Sequence, residues 1–328
     1  MEIRILSVGA VVAVEALGNW YGGLGNTWMQ MVAGLISMVT AVFANWVLID
    51  GNLGAPVLGV AGAAWGSVIA SYAGFAFLAI AFWRGWGKGH EGAPRPAGKL
   101  GLSIAELRRV VKFGLPNGFN WFLEFAAFQL FVNGVLASLG DDTVAALNVV
   151  IAVNSISFMP AFGLASAGAI LAGQAIGRGD RAAVWPQLKV TLACTAVWTG
   201  VTGVLYLIAP HWVLSLFEEP GKSGNLVAIG TGMLALSAAW QVFDATAMTL
   251  AETLRAAGDT FWTAAARLVL AWAVFVPAAY IVVRSFAGGP LGAMLCLAGY
   301  MALLATAFAL RFRSGAWKTI ELIEPKLL

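Results

Sequence analysis

Between Glu15 and Asp50 the chain carries no Asp, Glu, Lys or Arg, and the same is true from Gly51 to Trp83. A helix needs about 20 mostly apolar residues to cross a bilayer core about 30 Å thick, so each run is long enough to span. Charged residues make up only 11% of the whole chain and hydrophobic ones 60%. Soluble domains carry about a quarter charged residues, so a soluble, secreted or disordered chain is excluded. Membrane strands of about 9 to 11 residues are too short for these runs, and helices satisfy every backbone polar group locally. Splitting the sequence at Gly, Pro and charge clusters predicts about nine spans: 3–21, 27–49, 58–83, 113–137, 143–176, 187–209, 226–254, 261–283 and 290–311. Cys194 and Cys296 lie inside apolar segments and read as small packing side chains, not as a disulfide.

Lys and Arg collect in cytoplasmic loops. Arg84, Lys88, Arg95, Lys99, Arg108, Arg109 and Lys112 fall between Trp83 and Phe113. Alternate connections add Arg178, Arg181, Lys189, Arg255 and Arg267, and the tail adds Arg311, Arg313, Lys318 and Lys326. Sixteen of the nineteen basic residues are thereby expected on one side, with Asp50, Asp141, Asp142, Glu218 and Glu219 on the other. The long loop and the C-terminus are expected to be cytoplasmic, in a bacterial-type cell membrane. The Gly and Pro content of the loop marks a solvated linker and not a nucleic-acid surface.

The sequence also repeats. Leu24-Gly-Asn-Thr-Trp28 is similar to Ala257-Gly-Asp-Thr-Phe261, and Gly62-Ala63 to Gly292-Ala293. Gly85 follows Gly62 by 23 residues, and Gly315 follows Gly292 by 23. Six helices separate the copies, so both run the same way through the membrane and the repeat is parallel. The expected architecture is an all-α polytopic bundle of two pseudo-symmetric lobes. The partition is 1–84 for a partial first lobe of three spans, 85–112 for the interlobe loop, 113–313 for a second lobe of six spans and 314–328 for the tail. Three helices precede the second copy and none the first, so an incomplete first lobe and an internal Met1 are expected.

Three segments carry a resemblance to a known family: Gly51-Asn-Leu-Gly-Ala-Pro-Val-Leu-Gly-Val-Ala-Gly-Ala-Ala64, Phe158-Met-Pro-Ala-Phe-Gly163 with Gly173-Gln-Ala-Ile-Gly-Arg-Gly179, and Leu254-Arg-Ala-Ala-Gly-Asp-Thr260. Their order and spacing resemble the multidrug and toxic compound extrusion (MATE) family of cation-coupled efflux transporters. The resemblance implies a twelve-helix fold, of which this chain would supply helices four to twelve. It also implies antiport of cationic or amphiphilic compounds against Na⁺ or H⁺, with no other cofactor, no enzymatic activity and a monomer in the bilayer.

Acids inside a membrane are functional candidates by default. Glu124 lies 12 residues from Lys112 and Asp244 lies 11 from Arg255. At about 1.5 Å per residue both reach roughly mid-depth. Asn117, Asn120 and Glu124 share a helical face, as do Ser237, Trp240, Gln241 and Asp244. Two acids so placed can bind Na⁺ through their oxygens or hold protons, and the alternative is a static interhelical hydrogen bond. The resemblance puts Glu124 and Asp244 in the family's second-lobe cation site, as proton carriers or Na⁺ ligands. Trp240 can stack on a cation or simply pack. Glu15, Asn148 and Asn154 complete the candidate set, and Glu252 pairs locally with Arg255. Ala41 and Asn45 stand where some relatives carry an Asn and an Asp four apart, which assigns coupling to the second lobe. The alternatives are a lipid or polysaccharide flippase of the same superfamily or an inactive truncated fragment. A flippase needs buried basic residues for phosphates, and the only buried charges expected here are acidic.

Overall fold

Charge-free runs fold as helices, and glycine fixes where they stop. The computed structural model describes residues 2–87, 104–216, 225–286 and 288–320. It divides the chain at Gly101/Leu102, inside the expected linker.

The first unit holds α1 (Glu2–Ile5), α2 (Val8–Gly23), α3 (Thr27–Asp50), a 3₁₀ turn (Asn52–Gly54) and α4 (Val60–Arg84). Gly25 has φ +78°, and the N–H groups of Gly25 and Asn26 return to the carbonyls of Gly22 and Tyr21 at 2.9 Å each. This left-handed turn satisfies carbonyls that the end of α2 would otherwise leave open. α3 and α4 lie side by side. A Cβ on Gly62 would stand 2.4 Å from the Leu48 carbonyl oxygen, so only glycine allows this approach. Tyr21 is fully buried and donates to the Trp86 carbonyl at 3.0 Å, while Asn26 Nδ2 donates to the Gly87 carbonyl at 2.7 Å.

The second unit begins with α5 (Ile104–Leu130), which continues through a π turn (Phe131–Val135) and a 3₁₀ turn (Leu136–Leu139). This helix starts nine residues before the expected 113, so the last nine residues of the expected linker are helical. Next come α6 (Asp141–Gly177), a 3₁₀ turn (Arg181–Ala183), α7 (Val184–Ile208), α8 (Pro210–Ser215) and α9 (Asn225–Ala256). The unit closes with α10 (Thr260–Val269), a π turn (Leu270–Phe275), α11 (Val276–Ser285), α12 (Gly289–Arg313) and a 3₁₀ turn (Ala316–Thr319).

Among the described residues, eight helical stretches are long and apolar enough to cross a membrane. The expected span 226–254 is present as α9, which is not one of these eight. α6, α7 and α12 all lie against α9, so much of its surface meets protein rather than lipid. Ser237, Gln241, Thr249 and Thr253 are all buried on it. α7 brings a buried threonine row to the same interior, and Thr191, Thr195, Thr199 and Thr202 each donate to the carbonyl four residues back. Self-bonded hydroxyls of this kind allow close packing without an unsatisfied polar group.

Candidate functional site

α9 presents Ser237, Trp240, Gln241 and Asp244 along one face, as their spacing predicts. Gln241 Oε1 accepts from Ser157 Oγ of α6 at 2.7 Å and from Thr202 Oγ1 of α7 at 3.4 Å, and the two hydroxyls are 2.8 Å apart. Three helices are therefore clasped at one level. Pro160 removes one backbone donor from α6. Nearby, the Ser157 carbonyl accepts from Trp198 Nε1 at 2.9 Å.

Beside this clasp lies a cavity of about 250 Å³, lined by Asn154, Ser157, Trp240, Gln241, Asp244 and Phe128 among others. Two buried polar atoms of its lining residues have no partner among the described residues: Gln241 Nε2, a donor, and Asn154 Oδ1, an acceptor. The amide of Asn154 is otherwise held by its donation to the Val150 carbonyl at 3.0 Å. Trp240 is 8% exposed and supplies an aromatic wall. Asp244 is partly buried, and Arg267 and Glu124 are the charges that act on it.

Glu124 faces a second cavity of about 220 Å³ with Trp121, Phe125, Phe275 and Tyr300. The two cavities share Phe128, Leu297 and Met301 as walls. Glu124 is ion-paired: Arg267 Nη1 of α10 donates to Oε1 at 2.7 Å and to Oε2 at 2.6 Å. The side chains of Arg267 and Glu124 are 11% and 22% exposed. The guanidinium carbon lies 5.8 Å from the ring centre of the fully buried Phe308, so the cation is held by an aromatic face as well as by the acid. Trp272 Nε1 donates to the Leu123 carbonyl at 3.2 Å, which fixes α5 against the same helical stretch. Phe131 and Phe275, one from each π turn, have centroids 4.9 Å apart, and Tyr300 stacks on Phe275 at 5.0 Å. The Tyr300 hydroxyl is buried with no hydrogen-bond partner among the described residues, within the electrostatic reach of Glu124, Arg267 and Asp244.

Asp244, Trp240, Gln241 and Asn154 thus meet in one cavity and Glu124 lines its neighbour. Asn148 is exposed and lines neither of these cavities. Glu15 is exposed on α2 in the other unit. The side chain of Asn120 lies outside the described residues. Glu252 pairs with Arg255 as expected. Two expectations are corrected. Arg267 is not a loop residue but sits two turns into α10, because that helix starts at Thr260 directly after Asp259. The buried charges are consequently not all acidic. Ser157, Thr202, Tyr300 and Arg267 escaped sequence reasoning; a basic residue eight positions after Asp259, inside a predicted span, was the available signal.

Long apolar helices packed around largely apolar cavities that hold a few polar groups define a polytopic membrane protein. A model of the MatE family matches residues 118–281, half of the chain, and the chain belongs to this family. Its members are transporters, not enzymes. The chain is 23% identical over 90% of its length to a probable multidrug resistance protein NorM of Thermotoga maritima, covering 62% of that protein. It is 27% identical over 95% of its length to the probable NorM of Pseudomonas syringae pv. tomato, covering 67%. The fold matches the crystal structure of a MATE protein in complex with MaL6 with a TM-score of 0.81 at 17% identity, over 95% of this chain and 68% of that one. The chain therefore spans roughly two thirds of the length of its relatives.

Proposed function

We propose that this chain carries the coupling site of a cation-coupled antiporter that exports cationic or amphiphilic compounds. The observation that carries this reading is Asp244, an acid with no hydrogen bond among the described residues, set in a cavity with the Trp240 ring and two unpartnered amide atoms. With both acids ionised, Glu124, Arg267 and Asp244 together hold one net negative charge. An uncompensated charge in a low-dielectric site is costly, so the site favours one cation at a time. A lipophilic cation resting on Trp240 and a coupling ion at Asp244 then compete for the same charge, and competition of this kind is what antiport requires. Gln241 Nε2 and Asn154 Oδ1 give the compound one donor and one acceptor, while Phe128 and Met301 cover its apolar surface. Transport alternates between two sides of the membrane, with the C-terminus cytoplasmic and the chain acting as a monomer.

The names of the relatives support this reading, since both are probable multidrug resistance proteins. Against a flippase stands the engagement of Arg267: its guanidinium is committed to Glu124 and not free for a phosphate. The test is ethidium efflux from vesicles under imposed Na⁺ and H⁺ gradients. Asp244→Asn should abolish efflux at equal membrane expression. Wild-type efflux in that variant would refute the assignment.

A further inference from the structure

We infer that Arg267 is the resident cation of Glu124 and that it excludes Na⁺ from this carboxylate, which makes Arg267 the residue that sets ion selection. The inference rests on the antiporter reading and concerns which ion that site accepts. A hard cation such as Na⁺ replaces its hydration shell with several oxygens converging on one point. Glu124 is the carboxylate that would have to supply two of them, and both of its oxygens already accept from Arg267 Nη1. Three features keep that guanidinium in place. The pair is charge-assisted at both oxygens, and such bonds are about twice as strong as neutral ones. Phe308 lies against the guanidinium. Trp272 ties α5, which carries Glu124, to the π turn that follows Arg267. A metal ion entering here would meet a like charge, and the acids therefore do not fit a shared Na⁺ site.

The remaining acid, Asp244, lines the other cavity, where Arg267 also acts on it electrostatically. No second acid lines that cavity among the described residues, so the positive charge of the guanidinium opposes Na⁺ there as well. Removing the guanidinium, and changing nothing else, should turn Glu124 and Asp244 into a pair of free acids able to take a metal ion.

The experiment uses the full chain, purified in detergent, with thermal stability measured in matched NaCl and KCl. Wild type should show no Na⁺-specific shift. Arg267→Gln should gain a Na⁺-specific rise in Tm of a few degrees, and Arg267→Gln with Glu124→Gln should lose it. A Na⁺-specific rise in wild type that Glu124→Gln removes would overturn the inference, as would the absence of any Na⁺ response in Arg267→Gln. Should Arg267→Gln not fold, Arg267→Ala is purified with millimolar methylguanidinium, which should replace the missing side chain, raise Tm only in that variant and be competed by Na⁺. Failure of methylguanidinium to stabilise Arg267→Ala, or of Na⁺ to compete, would again overturn it. Ethidium efflux is scored separately. Loss of efflux under every gradient sinks the antiporter reading and leaves the ion-selection result standing, whereas Na⁺-driven efflux with Na⁺ binding in wild type sinks the inference alone.

Discussion

The stretch α2 to α4 in the first unit and the stretch α9 to α12 in the second repeat one pattern, and their backbones agree more closely than their chemistry. Gly25 and Gly258 both turn left-handed, at φ +78° and +88°, and each closes its helix with the same pair of backbone hydrogen bonds. Gly85 and Gly315 match as well, at +71° and +72°. Asn26 ties the first turn to Gly87 just beyond α4, and Asp259 ties the second to Arg311 near the end of α12. Charge divides them. Aligned on Gly25 and Gly258, an offset of 233 residues, the first copy has Val11 where the second has Asp244, Val8 for Gln241 and Gly34 for Arg267. A helix end needs its glycine wherever the hairpin is built, so that geometry persists in both. A charge in a membrane is costly, so it is kept where the chemistry is.

The largest test of this contrast is Arg267→Gln. It leaves Glu124 without its partner and should cost about 3 kcal/mol of stability, read as a fall in Tm in Na⁺-free buffer. Its counterpart Gly34→Ala meets nothing within 4 Å and should change stability by less than about 1 kcal/mol. Equal effects would erase the distinction between the copies. In transport, Asp244→Asn should lower ethidium efflux at least about a hundredfold, equivalent to about 2.7 kcal/mol. Glu15→Gln, the change at the isolated acid of the first copy, should stay within about twofold of wild type, and a comparable loss there would place coupling in both copies.

Packing gives a reversed contrast of intermediate size. A methyl at Gly62 would meet the backbone oxygen of Leu48 at 2.4 Å, whereas one at Gly292 would meet a Val282 methyl at 3.0 Å. Gly62→Ala should therefore destabilise by about 2 kcal/mol and Gly292→Ala by under about 1 kcal/mol, compared by thermal unfolding of the two variants. The smallest effect should show no contrast at all. Gly25→Ala and Gly258→Ala force a Cβ into the same left-handed turn, at about 1 kcal/mol each, and a difference of more than about 0.5 kcal/mol between them would show that the two turns are not equivalent.

Much of the fold was legible because lipid imposes length and apolarity on every helix that faces it. The runs ending at Asp50 and Trp83 could hardly be read otherwise. The cluster of Trp240, Gln241 and Asp244 was legible for a related reason, since a helix buried among helices can carry a polar face and its 3 and 4 spacing displays that face. What escaped is what the sequence separates. Ser157 and Thr202 meet Gln241 from positions 84 and 39 residues away, and each alone is an ordinary helical hydroxyl. Arg267 reads as a loop residue because it lies close in sequence to the connection at Asp259. Its partner is 143 positions distant, and only the third dimension joins them. Asn148 is a separate case: it is exposed and lines neither of the two cavities, which its place in the sequence does not announce.

The two π turns carry a consequence for how this site tolerates change in chain length. Each wide turn accommodates one residue more than an α-helix would use over the same rise, and the α-helix advances about 100° per residue. Removing a single residue from Leu270–Phe275 would let the stretch relax to a regular helix and swing Arg267 by about a quarter turn relative to α11, away from Glu124, with every helical hydrogen bond still made. Hydropathy and helix content would hardly register such a deletion. The ion pair would be lost all the same, so that in this part of the chain the count of residues is as much a part of the site as their identity.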